Sequence, residues 1–587
     1  MRNVKIVCTL GPASGDRPTI RRLADAGMSV ARLNASHGSV ESRAELAEHV
    51  SAVDDATDEP LAAMLDLRGP EVRTAETDGS VELEAGSRVR FCEGTTVSSE
   101  SIGITDSIAA VCPGDTVLLD DGRIETIVDR VKGDVVYARV ESGGTLGSRA
   151  GVTTRDVDLD LDLVGDVDRE NLELAAERGI DLVAASFVRD SEDIYEIADV
   201  LKGFGADDTA IVAKIERSAA VENIDGIIDA ADGVMIARGD LGVECPLEDV
   251  PVIQKRIIHR CVGAGVPVIT ATEMLDSMVS SRRPTRAEAS DVANAVFDGT
   301  DAVMLSGETA VGDYPIETVE TMATIVDRIE KSGEYAETRD SRVPPAEKGV
   351  RTDAVARSAR YLAGDVNATA IVCLSESGYT ARKAAKFRPS VPIVAATPND
   401  RVRRQLAVTW GVDARYATYA ADMDAILRTA VDSAIEAGVA ESGDTIVVLA
   451  GMMNDLPETD VTNTLKVHVV AETIATGRTV VAGQVAAPIA RTMDGDLGSV
   501  PDGSIVVLPS GFDSEFDGDV SGIAGIVAAE SGLTGYPAIV ARELGVPMLA
   551  GVTLPSAVED GRVVTLDGER GVVYEGNVTG NAQDRRR

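Results

Sequence analysis

Over the first 330 residues, short apolar runs alternate with stretches whose apolar positions recur at helical spacing. This is the pattern of parallel strands joined by crossover helices. The runs fall at 5–10, 29–36, 62–67, 181–188, 210–216, 233–240, 266–274 and 302–309. Eight such strands, separated by amphipathic segments such as 286–297, meet the requirement of a closed α/β barrel, the (β/α)8 or TIM barrel, predicted over 1–72 and 159–335. The long interval after the third run reads differently. Brief alternating runs at 87–92, 115–119 and 134–140, punctuated by Gly and Asp, predict a small β-barrel domain inserted at 73–158. A polar stretch with Pro344 and Pro345 marks a linker, and a second alternating α/β unit follows at 346–475, with strands at 368–374, 392–396 and 445–450. The last unit, 478–578, is rich in Val, Gly and Asp and predicts an extra β-rich domain.

Length agrees with this division, since 587 residues correspond to about three or four domains. No apolar run approaches the roughly 18 residues of a membrane span, and the N-terminus passes directly into a strand-like run without the features of a signal peptide. A cytoplasmic protein with no membrane partner is expected. The six cysteines are scattered, with no CxxC pair and no His at ligand spacing, so they are expected to be reduced and mostly buried. Charge changes the picture most. With 97 acidic against 56 basic residues the formal net charge is −41, which argues against a nucleic-acid partner. The acids are interspersed among periodic apolar segments, so the expectation is a folded protein with an acidic, haloarchaeal-like surface.

In such a barrel the reactive groups lie at the C-terminal ends of the strands, and residues two apart share a face. Arg32, Asn34 and Ser36 are so spaced at the end of the second run, Lys214 and Glu216 at the fifth, Arg238 and Asp240 at the sixth, and Ser306 and Glu308 at the eighth. Each pair alone is a weak signal, but their occurrence in order at strand ends is not. The chain here resembles the pyruvate kinase family. The blocks that carry the resemblance are KIVCTLGPAS (5–14), ARLNASHG (31–38), DLRGPEVRT (66–74), AKIE (213–216), GVMIARGDLGVE (233–244), ATEMLDSM (271–278) and MLSGETAVGDYP (304–315). The match covers about residues 1–475. Ala35, Arg68 and Glu273 stand where the family usually has Phe, Lys and Gln.

The resemblance implies transfer of the phosphoryl group of phosphoenolpyruvate to ADP, giving pyruvate and ATP in the last step of glycolysis, by a homotetramer. Glu216 and Asp240 are the implied ligands of Mg2+ or Mn2+, held partly by substrate oxygens. Lys214 and Arg32 would stabilise the phosphoryl oxygens, with Arg32 and Arg73 toward the nucleotide. Backbone N–H groups near Gly239 and Asp240 would receive the substrate carboxylate, with Thr272 beside it. Thr272 is a poor acid alone, so protonation of enolpyruvate is expected through a water relay including Ser306 and Glu308. Asn34, Ser36, Asp66 and the Leu67 carbonyl supply one charge among neutral oxygens, which suits K+. Glu71, where K+-independent members have Lys, predicts K+ dependence. His37 is expected to be structural.

In the α/β unit, the loop 375–380, with Ser375, Ser377, Gly378 and Thr380, resembles the family's loop for phosphate effectors, although Glu376 would repel one and an ordinary β-turn-α connection explains it as well. The tail resembles the swivelling phosphohistidine domain of phosphoenolpyruvate-utilising enzymes through GLTGYPAIVARELGVPMLAG (532–551), but Tyr536 replaces the phosphorylated His. Without an imidazole no histidyl phosphate can form there, so a structural or interaction role is expected. A phosphoenolpyruvate synthase or dikinase would need that His and an ATP-grasp domain; a catalytically silent barrel would have damage at Lys214, Glu216, Asp240 or Thr272, all of which are intact.

Overall fold

The computed structural model describes residues 2–77, 79–120, 122–155, 157, 159, 161–418, 423–451 and 462–579. They form two compact units, Met1–Arg360 with Cys373–Tyr419 and Ala450–Asn463, and Tyr361–Val372 with Ala420–Leu449 and Thr464–Arg587.

In the first unit, strands Lys5–Thr9, Val30–Asn34, Ala62–Asp66, Leu182–Ala185, Ala210–Ile215, Gly233–Ala237, Val268–Ala271 and Ala302–Leu305 close into the expected eight-stranded parallel barrel. Alternation decides what each side chain meets. Val7, Val30, Met64, Val212, Met235 and Ile269 fill the interior. Their neighbours Ile6, Cys8, Leu65, Ala213, Ile236 and Val268 pack outward against the helices. Two residues beyond the interior positions come Thr9, Arg32, Asp66 and Lys214, so the inward parity that builds the core also carries polar groups to the rim.

Several strands are shorter than their apolar runs. The sixth ends at Ala237 and Arg238–Glu244 is helical, whereas a strand to 240 was expected; the eighth ends at Leu305 and Gly307–Ala310 is a helical turn. Past the rim a strand has no neighbour for its ladder, and a helix satisfies the backbone groups instead. Arg238 and Asp240 therefore do not share a face, because residues two apart on a helix point to nearly opposite sides.

The inserted domain is the expected small β-barrel. Its sheet runs Val72–Arg73, Gly151–Thr154, Thr116–Leu119, Ile124–Lys132, Val135–Ser142, Arg88–Glu93, Ser101–Ile104. The two edges meet at the Thr74–Ile104 bridge, where the Ala75 N–H donates to Gly103 O (2.8 Å) and the Thr105 N–H to Arg73 O (2.9 Å). Phe91, Ile102, Val117 and Val136 are in its own core. The expected end of this domain, residue 158, lies outside the described residues.

The linker expected before 346 is partly helical. Gly333–Ser341 is a helix that crosses the boundary drawn at 335, pinned by the buried Tyr335, whose hydroxyl accepts from Trp410 Nε1 (3.2 Å). The following α/β segment alternates as expected, and its strands Ile393–Thr397 and Val412–Tyr416 pair in parallel. Residues of this segment belong to both units.

In the second unit an eight-stranded sheet runs Thr473–Thr476, Val572–Glu575, Val563–Asp567, Gln484–Arg491, Ser504–Leu508, Ile523–Ala528, Met548–Ala550, Arg478–Val481, with the helix Tyr536–Leu544. Its strand Thr473–Thr476 begins before the boundary drawn at 475–478, so the tail's sheet starts earlier than its composition suggests. Among the described residues no helix is long and apolar enough to cross a membrane. Cys8, Cys261 and Cys373 are buried, Cys92 and Cys245 half-buried and Cys112 exposed, so burial is less general than expected.

Candidate active site

At the C-terminal rim, strand register brings the inward polar residues together. Asn34 is in register with Asp66 on the neighbouring strand, and Thr9 with Arg32. Arg32 Nε lies 2.6 Å from Asp66 Oδ2 and its Nη1 donates to Thr9 Oγ1 (2.9 Å). The Lys214 ammonium reaches Glu216 Oε1 (2.8 Å), Asp66 Oδ1 (3.1 Å) and Ser186 Oγ (2.7 Å). Ser186 in turn donates to the Leu67 carbonyl (2.7 Å). The Asn34 side-chain oxygen accepts from the Ser36 N–H (3.0 Å).

This cluster is dry: Arg32 and Lys214 are 9% exposed, Glu216 1% and Asp66 0%. Burial by itself would push the Lys214 ammonium to lose its proton, but the Asp66 and Glu216 carboxylates outweigh it and hold its pKa above the ordinary lysine value. Burial would likewise raise Asp66, and Arg32 with Lys214 holds it below the usual carboxylate range. The result is two permanent cations and two carboxylates in a water-poor pocket, where charge interactions are strong.

Across the rim, Gly239 and Asp240 are exposed in the first turn of helix Arg238–Glu244, where N–H groups lack intrahelical partners. Asp240 is near enough to Lys214 to favour its charged form. Thr272 and Glu273 have φ of +80° and +52°, a left-handed conformation that costs about 1–3 kcal/mol for each non-glycine residue. A Cβ on Gly239 would stand 2.8 Å from Thr272 Cγ2, so only glycine admits this approach. Arg238 turns away from the mouth and donates to the carbonyls of Ala271 (3.0 Å) and Thr272 (2.9 Å).

Glu308 is buried as a brace. Its carboxylate accepts from the N–H groups of Leu275 (3.1 Å) and Ser306 (2.6 Å), linking the loops that follow the seventh and eighth strands. Burial raises its pKa despite these bonds. Arg73 stands apart from the buried cluster, on the inserted domain's edge strand, paired with Glu71 (2.9 Å) and donating to Arg149 O (2.9 Å). The His37 ring is exposed, and its carbonyl accepts from Arg43 Nη1 (2.8 Å). Among the described residues no three His, Cys, Asp or Glu side chains converge as a metal cage. Glu216 and Asp240 alone would leave a divalent ion to take most of its ligands from elsewhere.

Four participants went unread in the sequence. Ser186 lies two residues past the interior Ala184, so the parity that singled out Lys214 also finds it. Thr9 follows the interior Val7 in the same way. The Phe187 N–H donates to Glu216 Oε2 (2.6 Å) from a residue at φ +58°, which no local pattern announces. Asp168 accepts from the N–H groups of Arg68 (2.9 Å) and Gly69 (2.7 Å), tying the chain that enters the inserted domain to the helix Asp166–Arg178 just after it. Gly69 has φ +72°, and a Cβ there would stand 2.8 Å from the Phe187 ring.

In the α/β segment, Ser375 Oγ accepts from the Thr380 N–H (3.4 Å), Ser377 Oγ from the Tyr379 N–H (3.4 Å), and the Thr380 hydroxyl meets that of Thr462 (2.7 Å). Gly378, at φ +76°, caps helix Tyr379–Lys386. In the tail Tyr536 opens helix Tyr536–Leu544 with its ring 5.8 Å from that of Phe516.

Comparison with known proteins bears on all three regions. Residues 1–319 match the family described as pyruvate kinase, barrel domain, 353–468 the pyruvate kinase alpha/beta domain, and 500–571 the mobile domain of PEP-utilising enzymes. The pyruvate kinase of Geobacillus stearothermophilus is 41% identical over 98% of this chain and 99% of its own. That of Bacillus licheniformis is 39% identical over 99% and 100%, and that of Sporosarcina psychrophila 36% over 99% and 100%.

Proposed function

Because this chain belongs to the pyruvate kinase family, we infer that it transfers the phosphoryl group of phosphoenolpyruvate to ADP, forming pyruvate and ATP, at the C-terminal mouth of its barrel. The observation that carries the site assignment is Lys214, a buried ammonium kept charged by Asp66 and Glu216 beside the buried Arg32. Phosphoryl transfer asks for little covalent chemistry and much charge neutralisation on the moving group. Two fixed cations in a dry pocket need no reorganisation to supply it. Lys214 and Arg32 are assigned to the phosphoryl oxygens, and Arg73 with Arg32 to the nucleotide side.

Glu216 and Asp240 would hold Mg2+ or Mn2+. Two hard carboxylates suit an ion completed by substrate oxygens. When bound, such an ion withdraws charge from the phosphoryl and enolate oxygens. Asn34, Ser36, Asp66 and the Leu67 carbonyl would hold K+, since one carboxylate among neutral oxygens favours a large monovalent ion. The first-turn N–H groups at Gly239 and Asp240 are assigned to the substrate carboxylate. The methylene carbon of enolpyruvate then takes its proton through water at Thr272, with Ser306 and Glu308 further back in the relay, and becomes the methyl group of pyruvate. In this reading the enzyme works in the cytoplasm as a homotetramer, with neither nucleic acid nor membrane as partner. The 375–380 loop is a candidate phosphate-effector site, and the tail has a structural or interaction role.

The test is pyruvate release from phosphoenolpyruvate and ADP, with Mg2+ in molar KCl, by the intact chain and by Lys214→Met. Removing a cation aimed at developing charge should lower kcat by about 10²–10³-fold or more. Equal turnover by the folded variant would remove Lys214 from the chemistry.

A further inference from the structure

We propose that Arg238 is a positioning residue for the reaction, holding the left-handed turn at Thr272 and Glu273 so that Thr272 stays seated against Gly239. The proposal rests on the reading of Thr272 as the residue nearest the proton-transfer step. Nothing in the local sequence Ala271-Thr272-Glu273-Met274 favours two successive residues at positive φ, and a β-branched Thr opposes it. The hold comes from outside the turn. Arg238 Nε and Nη2 take the Ala271 and Thr272 carbonyls, while Nη1 and Nη2 pair with Asp291 at 2.8 and 2.7 Å. Behind it the buried Gln254 lies 3.5 Å from Nη1 and donates to Asp298 (3.0 Å). The guanidinium thus spans two carbonyls of the strained turn and a carboxylate on helix Arg286–Asp298, which calls for a planar fork of donors.

Arg238 also opens the helix that presents Gly239 and Asp240, so one residue ties the carboxylate-binding turn to the Thr272 turn. The guanidinium's remaining contact is with Met274 Sδ at 2.8 Å, in the same segment as the turn. It acts on the reaction through Thr272.

The test is a double-mutant cycle of Arg238→Gln and Arg238→Lys in the wild-type and Thr272→Ala backgrounds. It reads steady-state kcat and KM, and separately the exchange of pyruvate methyl protons, with unfolding midpoints recorded for each variant. In the wild-type background Arg238→Gln should slow methyl exchange about 10–100-fold, as small misplacements of reacting groups do. It should leave the KM for ADP within about twofold. In the Thr272→Ala background the same change should add less than about twofold. Lysine, a point donor, should not restore the rate. Losses that multiply fully in the double variant, or full rescue by lysine, would overturn the proposal while leaving Thr272 in its role. No effect of Thr272→Ala on exchange would overturn both. Should Arg238→Gln fail to fold, Asp291→Asn, which loosens the fork from behind, should give the same non-additive pattern at about two- to fivefold, and additivity there counts against the proposal equally.

Discussion

At the level of single residues the site is a balance of buried charges. Asp66 serves Arg32 and Lys214 at once, and also belongs to the proposed K+ set with Asn34, Ser36 and Leu67. A monovalent cation there would offset part of the negative charge that now restrains Arg32 and Lys214. Glu71, engaged with Arg73, leaves no lysine ammonium of its own at that position to substitute for the ion. Activity should therefore depend on K+. Replacing KCl by NaCl at constant ionic strength is expected to lower the rate of pyruvate release by about tenfold or more, the scale of one lost charge interaction in a dry site. Equal rates in the two salts would dissociate Asp66 and Glu71 from monovalent activation. Arg32, Asn34, Ser36 and Lys214 were legible beforehand because strand spacing and the family's blocks pointed to the same positions; Asp66, Leu67 and Glu71 were legible from the blocks alone. Arg238 was misread because the same parity was carried on to residue 240, three residues past Ala237, where the strand gives way to a helix.

Among the elements, the N-terminal ends of the barrel strands show how the opposite face is sealed. Asp181 accepts from the Ala63 N–H (2.8 Å), Asp232 from Ile211 (3.0 Å) and Asp301 from Val268 (3.1 Å), each capping a neighbouring strand where it enters the barrel. Arginines beyond residue 380 then dock on two of these acids, Arg404 on Asp181 at 2.8 Å and Arg388 on Asp301 at 2.9 Å. Conservation of charge at this face would serve stability, not chemistry. Burial pushes Asp181 up to about 6 even with Arg404 beside it. A carboxyl whose folded pKa exceeds its unfolded value binds its proton more tightly in the folded state, so its contribution to stability is full below about pH 4 and is lost as pH rises through 6. Measured by urea unfolding at fixed molar KCl, the stability of the wild type relative to Asp181→Asn should fall by about 2–3 kcal/mol between pH 4 and 7. A difference that rises with pH would mean that Arg404 outweighs burial.

For the whole molecule, net charge is the governing quantity. At −41 the chain repels itself, and at molar salt the Debye length of about 3 Å screens most of that repulsion. Dialysis from molar KCl to millimolar buffer should therefore lower the unfolding midpoint and the activity together. Full activity retained in dilute buffer, checked by the same pyruvate assay, would show that the fold tolerates its charge without screening.

Across these scales, what the chain determined by itself was whatever rests on periodicity and residue chemistry. Eight apolar runs predicted the barrel, brief alternating runs the inserted β-barrel, and two-residue spacing at strand ends singled out Arg32 and Lys214, whereas Asp66 came only from the family's blocks. Boundaries were less legible. Where a strand gives way to a helix, as at Ala237, depends on whether a neighbouring strand remains to pair with, and that is a tertiary fact. The helix Gly333–Ser341 reads as a polar linker until Trp410, 75 residues away, meets Tyr335. The left-handed turn at Thr272 goes against its own residues' preferences and is held by Arg238, 34 positions earlier, so only the folded chain could decide it. Local pattern records which side chains seek the core; contacts distant in sequence decide which backbone conformations can be held against their local cost.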